Sequence, residues 1–213
     1  MKTRISAEKD VWKMKLGLLI CVMLFACFLS AGVHKIEAIS LQRGIQKEVL
    51  RFHVLANSDS EEDQAVKLKV RDDILNWLEK NLSETEQNDL IQMKKKVKVL
   101  LPQIEQEAAK IIKENGMDYE AEAELATSMF PAKSYGDCTF PAGKYSALKI
   151  RLGDAKGHNW WCVLFPRLCF MDCVEAVVPE QSQQLLQKVL TEEEYESLFD
   201  PAEDEYRIEF RYF

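Results

Sequence analysis

His53, Asn57 and Asp59 stand within seven residues of one another in VLRFHVLANSDS, residues 49–60. An imidazole, an amide and a carboxylate so close can act as a base, as ligands or as contacts for a partner. The bland reading is a satisfied strand histidine followed by a helix cap, and the residue types alone leave both open. The run Asp59–Asp63 (DSEED) has the carboxylates of a calcium site. It lacks the glycine and spacing of an EF-hand loop, so it reads as the acidic first turn of a helix.

A second polar group is Ser134-Tyr135-Gly136-Asp137-Cys138 with Pro141-Ala142-Gly143. Such glycine-punctuated loops carry recognition, or simply turn the chain. Cys138, Cys162, Cys169 and Cys173 form the third set. Cys162 and Cys169 flank Pro166, where the chain should turn, so a bridge between them is geometrically allowed, with Cys138–Cys173 as a second pair. Free buried thiols are the rival reading. Zinc is disfavoured, because there is no C-x-x-C and there are only 3 histidines. A Cys–His hydrolase would use Cys162 with His53 or His158, but so apolar a strand makes a thiol inert. No nucleophile elbow, P-loop, H-E-x-x-H or dinucleotide fingerprint occurs, and no cofactor is expected.

The elements that must position these residues follow from pattern. Val49–Ala56 reads as a strand. Ser58 with Glu61 and Ser60 with Asp63 suit a helix N-terminus, and Val66, Val70, Ile74, Trp77 and Leu78 then mark one apolar side to about Asn81. Ser83-x-x-Glu86 is a second capping box. Leu90, Val97, Leu101, Ile104, Ala108 and Ile111 continue at helical steps, with Pro102 expected to kink or restart the helix and Asn115-Gly116 to stop it.

Tyr119–Leu125 and Tyr145–Leu152 alternate as strands with one wet face. Gly153–Gly157 is a turn. Asn159–Phe165 (NWWCVLF) reads as a central strand buried on both faces, with Trp160 and Trp161 pointing to opposite sides. Glu192–Leu198 suits a short helix and Tyr206–Tyr212 a last strand. The expected fold is α+β: one domain with a mostly antiparallel sheet packed by two long helices.

Residues 16–33 contain no charged side chain and follow Lys2, Arg4, Lys9, Lys13 and Lys15. A helix of that length spans roughly 27 Å, about a bilayer's hydrocarbon thickness. Residues 1–38 therefore read as a signal peptide or signal-anchor with a short connector, and residues 39–213 as a domain exported across the membrane. Ser30-Ala31-Gly32 offers small residues for cleavage. Leu24–Cys27 fails as a lipobox because Phe25 is too large. The net charge of the chain is -7; the part after residue 33 carries 23 of the 28 basic and 33 of the 35 acidic residues, a net charge of -10. That balance excludes a nucleic-acid footprint and argues against adhesion to anionic lipid.

Four segments combine into a resemblance. LRFHVLANSDSEEDQAVKLKVRD (Leu50–Asp72), FPAKSYGD (Phe130–Asp137), FPAGKYSALKI (Phe140–Ile150) and GHNWWCVLFPRLCF (Gly157–Phe170) together resemble the stage II sporulation protein R family. The resemblance implies a signalling protein made in the forespore and exported to the space between forespore and mother cell. There, family members trigger a mother-cell membrane aspartic protease that removes the pro-sequence of sigma-E. It implies a protease partner, a membrane contact through the N-terminal segment, and no small-molecule substrate. The residues that match and are not plainly core are His53, Asn57, Asp59, Tyr135, Asp137 and Asn159, expected as partner contacts in one patch. An exported hydrolase is the alternative, and an anchored structural domain a third.

Overall fold

A computed structural model describes residues 17, 19–25, 27, 28, 30, 38–169 and 177–199. The chain divides into two units, Met1–Leu41 and Gln42–Phe213. In the first, the described positions between 17 and 30 are helical, and Leu24, Phe25 and Phe28 are exposed. Among the described residues no helix is long and apolar enough to cross a membrane. The expected helix over 16–33 falls partly outside the described residues, as do Cys173 and the expected strand Tyr206–Tyr212.

The second unit is α+β. Residues 42–47 are helical and lead to β1 (Leu50–Leu55), α1 (Glu61–Asn81), α2 (Glu84–Gln87), α3 (Leu90–Glu114), β2 (Ala121–Phe130), β3 (Lys133–Tyr135), β4 (Cys138–Phe140), β5 (Gly143–Leu152), β6 (Asn159–Phe165), α4 (Glu180–Val189) and α5 (Glu192–Phe199). The main sheet has the order β2-β5-β1-β6. β1 runs parallel to β5 and antiparallel to β6, and β2 is antiparallel to β5. The sheet is thus mixed, with two antiparallel pairings and one parallel pairing, β1 with β5, that the expected mostly antiparallel sheet did not specify. β1 can take a parallel neighbour because three helices and the strands β2–β4 intervene before β5.

The caps fall where the side chains dictate. Ser60 is the N-cap of α1 and accepts a hydrogen bond from Asp63 N at 3.1 Å. Ser83 and Glu86 close a capping box on α2, and Asp89 caps α3. α3 runs on through Pro102 as one helix, so the proline does not restart it. Pro102 and Lys98 are both exposed, so water can satisfy the carbonyl that the missing N–H leaves free.

Alternation along β1 divides the core between the two faces of the sheet. Leu50, Phe52 and Val54 pack with Val70, Ile74 and Leu78 of α1 and Val97, Ile104 and Ala108 of α3. The opposite face packs Tyr145, Ala147 and Val163 with Phe140 of the β3–β4 hairpin, Leu186 of α4 and Leu198 of α5. β6, expected in the centre, is an edge strand. Its Cys162, Val163, Leu164 and Phe165 are nonetheless buried, because elements cover both of its faces.

Candidate functional site

The end of β1 is locked to the turn before β6 by hydrogen bonds. Asn57 O accepts from Lys156 N at 3.1 Å, and Ala56 O from Gly157 N at 2.9 Å. A Cβ at Gly157 would overlap Ser58 O, so the two segments approach this closely only with glycine there. Gly153 opens the turn at φ +53, in the left-handed region.

Asn57 joins three elements. Its Oδ1 accepts from Asp154 N at 2.9 Å and its Nδ2 donates to Asp63 Oδ2 at 2.9 Å. Asp63 also accepts from Ser58 Oγ at 2.5 Å and Tyr119 Oη at 2.8 Å. Burial alone would raise the pKa of Asp63, but the hydrogen bonds from Ser58, Asn57 and Tyr119 outweigh it and hold the carboxyl below its usual range. Burial and the bond to Asp63 push the Tyr119 phenol upward. The half-buried Asn57 is a positioning residue, with both ends of its amide engaged inside the protein.

Asp59 and His158 form the outer part of this end. Asp59 Oδ1 accepts from His158 N at 2.6 Å and meets His158 Nδ1 at 2.5 Å. Their side chains are 53% and 55% exposed, so the pair faces solvent although it is ordered. Hydrogen bonds from the His158 backbone and ring hold Asp59 below its ordinary carboxylate range. Lys67 Nζ donates to His158 O at 3.0 Å beneath the pair.

A second cluster lies on the other face of the sheet, around the start of β1. Arg51 is fully buried, among Phe130, Tyr145, Phe140 and Tyr135, whose ring centroids lie 4.5, 5.0, 5.5 and 5.8 Å from its guanidinium carbon. Its Nε donates to Cys162 O at 3.0 Å and its Nη2 to Tyr135 Oη at 3.1 Å, while Nη1 has no hydrogen-bond partner among the described residues. Tyr135 Oη donates in turn to Trp161 O at 3.3 Å. Arg51 thus ties the hairpin to the edge strand.

His53, two residues along, is a core residue and not the surface contact expected of it. It is 3% exposed and stacks on Trp161 with centroids 4.9 Å apart and planes 6° apart. Burial, then the charges of Lys149 and Arg51, lower its pKa to about 3, so the ring is neutral. Among the described residues neither ring nitrogen has a hydrogen-bond partner, so His53 and Cys162 form no dyad.

Cys162 and Cys169 are free thiols in this structure, where a bridge was one expectation. They are neighbours all the same: both point to Val163 O, at 3.8 Å from Cys162 Sγ and 2.9 Å from Cys169 Sγ. Burial, and then a hydrogen bond with Cys162, raise the Cys169 thiol well above its usual pKa. Cys138, also free, is pushed up to about 12 by burial and by Asp137. Among the described residues no group of three His, Cys, Asp or Glu side chains is placed to hold a metal ion.

The expected contact residues therefore do not form one patch. Asn57, Asp59 and Asn159 gather at the far end of β1, where Asn159 pairs with Leu55. Tyr135 sits beside Arg51, six residues back along the strand, which is roughly 20 Å away. Asp137 is exposed near Tyr135, and its Oδ1 accepts from Val178 N at 3.0 Å, anchoring the residues that lead into α4. Sequence reasoning passed over Arg51 and read Asp63 only as part of the helix cap and acidic first turn, not as the centre of a hydrogen-bond network. A charged residue inside an otherwise apolar strand was the available signal for the first, and its place three residues after the Ser60 cap for the second.

Comparison with known proteins bears on the same segments. No solved structure matches the chain. Stage II sporulation protein R of Bacillus subtilis (strain 168) is 33% identical over 201 residues, covering 89% of this chain and 87% of that protein. The family model for Stage II sporulation protein R matches residues 46–175, which hold the Asn57–Asp63 network, the Arg51 box and the Asp59–His158 pair. The chain belongs to the stage II sporulation protein R family.

Proposed function

We propose that this protein is a sporulation signal exported from the forespore, which acts on the outer face of a mother-cell membrane aspartic protease and so promotes processing of pro-sigma-E. Family membership sets the process. The observation that carries the ligand reading is the Asp59–His158 pair, an ordered and solvent-facing charged group at the end of the sheet. The buried titratable groups are spent on packing instead: His53 is neutral and stacked, and the Cys169 thiol is held protonated.

A ligand of this kind works by binding the active form of its target more tightly than the inactive form. Moving a protease from 1% to 99% active needs roughly 5.5 kcal/mol of such preference. Two separate surfaces serve that purpose: the Asp59, His158 and Asn159 end, and the Asp137 side of the hairpin. The N-terminal segment directs export and holds or releases the domain at the membrane.

The test is reconstitution. The matching membrane protease and a tagged pro-sigma-E are co-expressed in a non-sporulating host, with and without this protein directed across the membrane. Cleavage only in its presence supports the reading. No cleavage, with the protein exported and folded and the protease shown competent with a known activator, moves the assignment to an exported hydrolase.

A further inference from the structure

The chain is acidic, yet one cleft of about 360 Å³ is lined by four basic side chains together with the uncharged Gln46, Thr127 and Ser146. Arg43 and Lys47, one helical turn apart, line it from residues 42–47; Lys94 enters from α3, Lys144 and Ser146 from β5, and Thr127 from β2. Thr127 pairs with Ser146 across the sheet, so the two hydroxyl side chains stand side by side on the cleft floor. Among the described residues no carboxylate lines it; Glu48 attracts the Lys94 charge, but burial outweighs that attraction and lowers the pKa of Lys94. Four cations converging on two hydroxyl groups suit a phosphate: the cations neutralise its charge and the hydroxyl groups donate to its oxygens.

We propose that this cleft seats the phosphate headgroup of an anionic phospholipid. The lipid is favoured over a soluble anion by connectivity. Arg43 follows Val33, the last residue of the uncharged stretch, by ten positions, and ten residues reach at most about 36 Å. A membrane-held stretch keeps the cleft within that reach of the headgroups. The inference rests on the membrane reading of residues 16–33. It runs against the expectation from net charge, on the ground that the local field and not the total decides what a surface attracts.

The test uses the full chain in an uncharged detergent with equimolar phosphatidylglycerol and phosphatidylcholine. The protein is repurified, and the bound phospholipid is extracted and weighed by mass spectrometry. Phosphatidylglycerol is expected in excess, and Lys94→Gln and Lys144→Gln should each lower that excess about fivefold. Lys110→Gln, elsewhere on α3, should not change it, and unfolding midpoints show that the variants fold. No preference, or one that survives the double substitution, overturns the proposal. So does inorganic phosphate if it shields Lys94 and Lys144 from acetylation as well as the lipid does, since the cleft then takes a free anion. Failure of the full chain to join phosphatidylcholine vesicles reports separately on the membrane reading of residues 16–33.

Discussion

One oxygen of Asp59 receives both the backbone N–H and the ring Nδ1 of His158, at 2.6 and 2.5 Å. A single carboxylate therefore fixes the start of β6 to the start of α1, and presents a hydrogen-bonded carboxylate and imidazole to solvent while doing so. Asp59→Lys should reverse that charge and leave the core intact. In the reconstituted assay it is expected to reduce sigma-factor cleavage at least tenfold, the effect of removing an interaction worth about 1.4 kcal/mol, with an unfolding midpoint near the parent's. Asp137→Lys makes the same test of the hairpin side. Full cleavage by both folded variants would remove these two surfaces from the signalling contact.

Asp63 acts on stability. Asp63→Ala leaves the partly buried Asn57 amide and Tyr119 hydroxyl without their acceptor, at a cost of about 2 kcal/mol. Urea unfolding should show it. The folded-state pKa of Asp63 lies below its unfolded value, so its contribution is complete above the usual carboxylate range and fades as pH falls through that range. A stability profile from pH 7 to pH 3 should be flatter for the variant; an equal slope would mean that other acids dominate.

His53 runs with the same slope for the opposite chemical reason. Its folded pKa of about 3 lies below the ordinary histidine value of 6.5, and the folded state holds the neutral ring. Its stabilising effect is full above pH 6.5 and is lost as pH drops toward 3, by about 2 kcal/mol at pH 5. His53→Phe keeps the aromatic stack on Trp161 and removes the titration. The variant should be more stable than the parent at pH 5 and differ little at pH 8. A stability difference independent of pH would show that His53 does not titrate as described.

Arg51 separates charge from shape. Arg51→Lys keeps the charge and loses the planar contact with the four rings and the bond to Cys162 O or Tyr135, so about 2 to 3 kcal/mol should be lost. Arg51→Met removes a buried charge that has no carboxylate beside it, and should cost less. Thermal unfolding of the two variants gives the order directly; the reverse order would mean that the cation itself holds the hairpin.

The two thiols that share Val163 O should close on oxidation when local opening exposes them, since burial otherwise holds the Cys169 thiol protonated and unreactive. With oxidised glutathione, each bond formed releases two thiol protons and passes two electrons to the reagent, and the intact mass falls by about 2 Da. A peptide linking Cys162 to Cys169 should appear, with a gain of about 2.5 kcal/mol from so short a loop. Both thiols remaining open to alkylation after that treatment would establish them as permanent core residues.

Much of this architecture is readable from residue pattern, and the misses have physical causes. β1, α1, α3 and β5 announce themselves by caps and periodicity, since those signals are local. NWWCVLF reports burial on both faces correctly, but apolarity says nothing about hydrogen-bonded neighbours, and β6 is an edge. The β3–β4 hairpin hides in a loop because each strand has three residues, and α4 hides because EQSQQLLQKV buries only Ser182 and Leu186. At the candidate site, the residues around Asn57 were legible as a group. Their division of labour was not, because Asp63 lies six positions away, and the partner of Asp59 lies 99 residues along the chain.

The parallel pairing of β1 with β5 also fixes an order of events. Leu50 meets Ser146 and Leu55 meets Arg151, and the other neighbour, β6, comes later still. As the chain grows from its N-terminus, β1 has nothing to pair with until more than two thirds of the residues exist. Helices α1 and α3 can form early, but their apolar sides wait for the sheet they cover. A fragment ending before β5 therefore has no main sheet, no closed Arg51 box and no end loop to show a partner.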